Sequence, residues 1–120
     1  LNGGWRAWLA EGNAVGLDRT VAVSGALFTP ARDESLMVKV GELKEACELG
    51  TSTIWDVRSD GEWDGSNSRG NKRVGHVPGA VHLEWFNVMD QATHCFKPAD
   101  EIKKILADAG IASDRTVYAY

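Results

Sequence analysis

Cysteine, proline, long apolar runs and excess positive charge are all scarce in this sequence, and each scarcity removes a class of protein. Cys47 and Cys95 are the two cysteines among 120 residues. They are too few for a disulfide framework and match neither a CxxC redox pair nor a paired zinc-ligand pattern. We expect no metal and no cofactor, and a reducing setting: cytoplasmic, or a bacterial or organellar matrix. With three prolines, the chain is neither a Pro-rich disordered segment nor a collagen-like one. Lys and Arg number 13 against 17 Asp and Glu, a formal net charge of -4, so no basic field draws the protein to nucleic acid or anionic lipid. No stretch reaches the ~18 consecutive apolar residues of a membrane span. The first residues also lack a basic start followed by an apolar stretch, and we expect a soluble protein that binds neither nucleic acid nor membrane.

What is present is an ordinary globular composition, 43% hydrophobic and 25% charged, sufficient for one compact core. Trp5, Trp8 and Leu9 recur at helical spacing before Gly12, a stripe we read as core packing. From Asn13 to Ser35 the chain carries scattered Gly, Ser, Thr and Asp with Pro30, a connecting segment whose apolar stretches Val21–Val23 and Ala26–Phe28 offer at most an edge strand. Leu36–Val40 reads as a short strand or extended lead-in. Val40, Leu43, Ala46 and Cys47 then form a helical face that ends at Gly50 and turns Cys47 toward the core. Thr53–Val57 is a β-branched and aromatic strand with Asp56 at its carboxyl end. A polar, glycine-rich stretch from Ser59 to Gly75 leads, through the turn residues Pro78 and Gly79, to a second strand over Gly79–Leu83. Pro98 at a first helical position, the face Ile102, Ile105, Leu106 and Ala109, and Gly110 beyond the end define the clearest helix. Arg115–Tyr120 begins a third strand. Such alternation predicts an α/β fold with a parallel sheet covered by helices. Ligands in such folds bind beyond the carboxyl ends of strands.

Three constellations could carry chemistry. Asp56 and Arg58 share a side at the end of the first strand, followed by Glu62, so an ion pair is plausible; a structural Asp fixing the loop weighs equally against a catalytic one. Arg69, Lys72, Arg73 and His76 form a local basic cluster able to rim an anion site, although charge in polar loops is more often solvated. Within Gly75-His76-Val77-Pro78-Gly79-Ala80 the glycines and proline fix a tight path, and His76 reads as structural first. His94-Cys95 juxtaposes an imidazole and a thiol, but adjacent residues seldom face each other productively. Convergence of His76, His82, His94 and Cys95 on a metal is indicated by no spacing here.

Asp56-Val57-Arg58, Glu62, Gly65 and Gly75-His76-Val77-Pro78-Gly79-Ala80 together resemble the two signature segments of rhodanese-like sulfurtransferases. The likeness extends from about Leu36 to Tyr120. Leu1-Asn2-Gly3-Gly4-Trp5-Arg6-Ala7-Trp8 is similar to the closing segment of another such domain, and the long loop before His76 looks like that of the second domain of a tandem protein. The organisation expected on this ground is a tail over 1–12, an interdomain linker over 13–35 and a rhodanese-like domain over 36–120 that stops before its active-site loop. The resemblance implies a three-layer α/β/α domain with a five-stranded parallel sheet. It also implies a cysteine just after Tyr120 that takes a sulfane sulfur from thiosulfate or 3-mercaptopyruvate as a persulfide and yields it to a thiophilic acceptor, such as cyanide or a thiol. Asp56 would lie near that loop with Arg73 in the surroundings, Arg58 and His76 would hold backbone, and Gly65, Gly75, Pro78 and Gly79 would shape it. Glu62 stands where some members carry a substrate-contacting arginine, which weakens any inference of thiosulfate preference.

Neither Cys47 nor Cys95 matches the family's nucleophile, so the 120 residues by themselves are expected to be inactive. A non-catalytic rhodanese-like binding or regulatory module is the alternative reading. The cell-cycle dual-specificity phosphatases share the fold but are disfavoured by the Gly75–Ala80 segment. An uncovered sheet would favour self-association or a complementing chain, or docking of the Trp5, Trp8, Leu9 stripe onto that sheet.

Overall fold

The computed structural model describes residues 2–21, 25 and 27–120. The edge strand considered over Val21–Val23 and Ala26–Phe28 falls largely on residues 22–24 and 26, outside those described. The described elements are helix α1 (Gly4–Ala10), helix α2 (Val40–Leu49), strand β1 (Thr53–Asp56), the short helix α3 (Asp60–Asp64), strand β2 (Val81–His82), helix α4 (Ala99–Asp108) and strand β3 (Val117–Ala119). Single 3-10 turns lie at Glu34–Leu36 and Trp85–Val88. Leu36–Val40 forms no strand. Its first part closes the 3-10 turn and Met37 then runs extended into α2.

Each helix begins and ends for local reasons. The Glu42 carboxylate accepts the Lys39 N–H at 2.7 Å, satisfying a donor at the start of α2, and Gly50 at φ 63 turns the chain out of it. Pro98 stands just before α4, not inside it: its ψ of 146° is extended, and its carbonyl accepts the Ile102 N–H at 3.0 Å. The ring's fixed φ suits either position, so the first-turn signal leaves that residue's place open. At the far end Gly110 N–H reaches the Ala107 carbonyl (2.9 Å) and Ile111 N–H the Leu106 carbonyl (2.8 Å), a paired closure that satisfies the last carbonyls. That closure delivers Ile111, 6% exposed, to the core.

The three strands are parallel in the order β2-β1-β3. Trp55 lies opposite Val81 and Ala119, and Ile54 opposite Tyr118. Successive residues of β1 point to opposite faces, and the packing follows. Ile54 lines a cleft with Ala46 and Cys47 of α2, whereas Trp55 and Val117 face Leu106 and Ala107 of α4. The α/β/α layering thus divides at β1, whose pattern of half-buried and buried residues suits a central strand. β2 is shorter than the expected Gly79–Leu83. Pairing continues beyond it all the same, because Leu83 N–H reaches the Asp56 carbonyl at 3.1 Å and Trp85 N–H the Val57 carbonyl at 2.9 Å.

The aromatic stripe of α1 is not core. Trp5 is 59% and Leu9 47% exposed. The first segment is held instead by its polar and small residues: Asn2 Oδ1 accepts the Phe96 N–H (2.8 Å), and Arg6 donates to His94 Nε2 (3.0 Å). Helical periodicity reveals that a stripe exists but not whether any surface meets it. α1 therefore sits on the 89–96 loop rather than on the sheet.

Candidate active site

The carboxyl ends of the three parallel strands bring together Asp56, His82 and Tyr120, with Arg58 two residues beyond β1. Asp56 is fully buried, and a buried carboxylate requires partners. Arg58 supplies them in fork geometry: Nε donates to Oδ1 at 2.9 Å, Nη2 to Oδ2 at 2.5 Å, and the Arg58 backbone N–H to Oδ1 at 3.0 Å. Burial opposes ionisation of Asp56. The side-chain and backbone hydrogen bonds from Arg58, joined by Tyr120, outweigh it and hold the carboxyl below its usual range. The same carboxylate holds the Arg58 guanidinium in its charged form, raising its pKa further against the opposing effect of burial.

Arg58 also reaches across to the next segment. Nη2 donates to the Gly75 carbonyl at 3.0 Å, and the guanidinium carbon lies 5.1 Å from the centre of the Tyr120 ring, a cation–π contact. Val77–Ala80 is a turn closed by Ala80 N–H to the Val77 carbonyl at 3.0 Å. Pro78 and Gly79 occupy its centre, and Gly79 at φ 79 provides the left-handed step such a turn demands. Gly65 ends α3 at φ 84. A β-carbon there would lie 3.1 Å from a Val74 methyl, so the close return of the loop onto α3 needs glycine.

His76 and His82 both lie against the Trp63 indole, with ring centres 3.4 and 4.9 Å away and planes within 9° and 11°. His76 Nδ1–H donates to the Trp63 carbonyl (3.0 Å), and His82 Nε2–H to the Arg58 carbonyl (3.0 Å). Glu62 faces its own helix start, accepting the Ser59 hydroxyl at 2.7 Å, and meets Arg69 at 3.5 Å. The Ser59 hydrogen bond lowers its pKa despite some desolvation. Lys72 and Arg73 are exposed, without an ion-pair partner among the described residues. The basic cluster thus separates into Arg69 on Glu62, His76 on Trp63 and two solvated cations.

The two cysteines lie elsewhere. Cys47 lines a cleft with Ser52, Thr53, Val81 and Arg115, residues at the amino ends of the strands and thus at the opposite end of the sheet. Cys95 packs near Gly3, and its thiol points to the Thr93 carbonyl at 3.9 Å. His94 is engaged by Arg6 and edge-on to Phe86. Sequence reasoning missed Trp63 and left His82 and Tyr120 without a role. Register could have found the latter two, since each extends a strand neighbouring Asp56.

The family model described as Rhodanese-like domain matches residues 39–120. The chain belongs to the rhodanese-like domain family. The thiosulfate sulfurtransferase of Pseudomonas aeruginosa is 33% identical over 120 residues, which cover 100% of this chain and 43% of that protein. That of Azotobacter vinelandii is 32% identical over 123 residues, 100% of this chain and 43% of the relative. The chain therefore spans less than half the length of these relatives. Among solved structures, wild-type EanB superposes with a TM-score of 0.77 at 30% identity, covering 100% of this chain and 30% of that one. The anaerobic ergothioneine biosynthesis enzyme of Chlorobium limicola, in complex with its natural substrate trimethyl histidine, gives 0.76 at 30% identity over 100% and 31%. The parallel sheet with flanking helices is accordingly the rhodanese fold, and the two relatives named above are thiosulfate sulfurtransferases.

Proposed function

We propose that this chain forms part of a sulfurtransferase in which a cysteine thiolate, carried by the loop that follows β3, attacks the outer sulfur of thiosulfate. The S–S bond of the donor breaks, sulfite leaves with the bonding pair, and the cysteine holds the sulfur as a persulfide. A thiophilic acceptor, cyanide or a thiol, then attacks that outer sulfur and restores the thiolate. 3-Mercaptopyruvate is the other donor class. The observation that carries this reading is the Asp56–Arg58–Gly75 clamp at the carboxyl end of β1, the end of a parallel sheet where ligands bind. In this reading Asp56, Arg58 and His76 hold the frame around the reacting loop, Gly65, Gly75, Pro78 and Gly79 shape it, and Arg73 and Glu62 border it. Backbone N–H groups in a loop of this kind stabilise a thiolate.

With Cys47 at the opposite end of the sheet and Cys95 on the 89–96 loop, the 120-residue polypeptide by itself should transfer no sulfur. The test is mass spectrometry of the full-length protein before and after thiosulfate, followed by thiocyanate formation with cyanide. Gain of one sulfur atom, discharged by cyanide, is the expected result. A full-length protein that neither gains sulfur nor makes thiocyanate with either donor would instead be a binding or regulatory module built on the same fold.

A further inference from the structure

Tyr120 is the point at which three segments meet. Its backbone N–H donates to the Trp55 carbonyl and its own carbonyl accepts the Val57 N–H, both at 3.1 Å, so the main chain leaving β3 is tied to β1 on both sides of the peptide. Its hydroxyl accepts the Val77 N–H at 2.9 Å. That bond ties the end of β3 to the 75–80 turn. Its ring supports the guanidinium that grips both Asp56 and Gly75. Burial raises the phenol pKa above its ordinary value; the Val77 amide opposes this and the Asp56 carboxylate adds to it, so the hydroxyl stays neutral.

We infer that Tyr120 is a positioning residue for the sulfur-transfer loop: its backbone sets the direction in which the chain leaves β3, while its side chain fixes the turn and the guanidinium that flank that exit. This rests on the sulfurtransferase reading and adds a residue that reading does not use. The physical reason is tolerance. A reacting sulfur displaced by about 1 Å loses on the order of a hundredfold in rate, and the Tyr120 side chain, one residue beyond β3, meets both the Val77 amide and Arg58.

The variant that isolates this role is Tyr120→Phe in the full-length protein, since it keeps the ring and both backbone ties and removes only the hydroxyl. Loss of this half-buried hydrogen bond should speed Val77 amide exchange by about tenfold. The kcat for thiocyanate formation should fall by about tenfold with KM for thiosulfate unchanged, as for a group that acts in the transition state through geometry. Alkylation of the reactive thiol should also shift to higher pH. Tyr120→Leu, which removes the ring as well, should lose more. Unchanged Val77 exchange in Tyr120→Phe would overturn the tie between Tyr120 and the 75–80 turn. Faster exchange with kcat and the thiol pH profile unchanged would overturn the positioning role and leave the sulfur-transfer reading standing. A wild-type protein that takes up no sulfur would overturn both.

Discussion

The carboxyl end of the sheet and the N-terminal segment hold their residues in opposite ways. Around Asp56 a few atoms are tied several times over: one carboxylate takes bonds from three Arg58 groups, and Arg58 continues to Gly75 and Tyr120. Around α1 large aromatic surfaces stay in water while Asn2 and Arg6 make the specific contacts. The difference teaches that residue size is a poor guide to what holds this molecule. A buried charge left unpartnered is costly, whereas an exposed indole is not.

The largest effect should come from Arg58→Ala, which strands the Asp56 carboxylate in the interior. By analogy with other broken buried pairs the loss is about 3 to 5 kcal/mol, read as a lower urea midpoint. Next comes Gly3→Ala. Gly3 has φ 81, and a β-carbon there would lie 2.6 Å from the Ala7 side chain and 2.8 Å from Cys95 Sγ. It should cost about 1 to 2 kcal/mol and free the first segment, seen as rapid proteolysis before residue 13 with the sheet intact.

Acid should act at the buried carboxylate of the sheet end. The Asp56 carboxyl lies below its ordinary value of 3.8 in the folded state, so the stability it contributes is present above that value and is lost as pH falls through the folded-state pKa. Unfolding midpoints should drop below about pH 4, and Asp56→Asn should flatten that limb. The smallest effect belongs to the double replacement Trp5→Ala with Trp8→Ala. Were the stripe packed on the sheet, several kcal/mol would be lost; on the exposures observed the unfolding free energy should change by about 1 kcal/mol or less. A large loss there would show that α1 has a packing partner the contacts described above do not include.

Much of this was legible in the residues. The Thr53–Asp56 strand followed from β-branched and aromatic patterning, α4 from its apolar face and terminal glycine, and the pairing of Asp56 with Arg58 from strand alternation. These are short-range properties. They depend on backbone sterics and on a period of two or 3.6, which the order of residues fixes directly. The family resemblance rested on Asp56–Arg58 with Glu62, Gly65 and Gly75–Ala80, residues that match its two signature segments.

What tertiary structure decided lies across long separations. That Trp63 meets both His76 and His82 and that the Tyr120 hydroxyl finds the Val77 amide depend on which strand neighbours which. No local period encodes that choice. The exposure of Trp5 and Leu9 is of the same kind, since a helix carries its apolar face in its own sequence while the surface that would cover it belongs to another element. The sequence by itself determined β1, the helices α1, α2 and α4, the turn at Val77–Ala80 and the family resemblance, but not the short α3 inside the polar stretch after Ser59. The tertiary structure alone decided which side chains converge at the carboxyl end of the sheet, because convergence is set by the parallel register β2-β1-β3 and by the need of one buried carboxylate for partners.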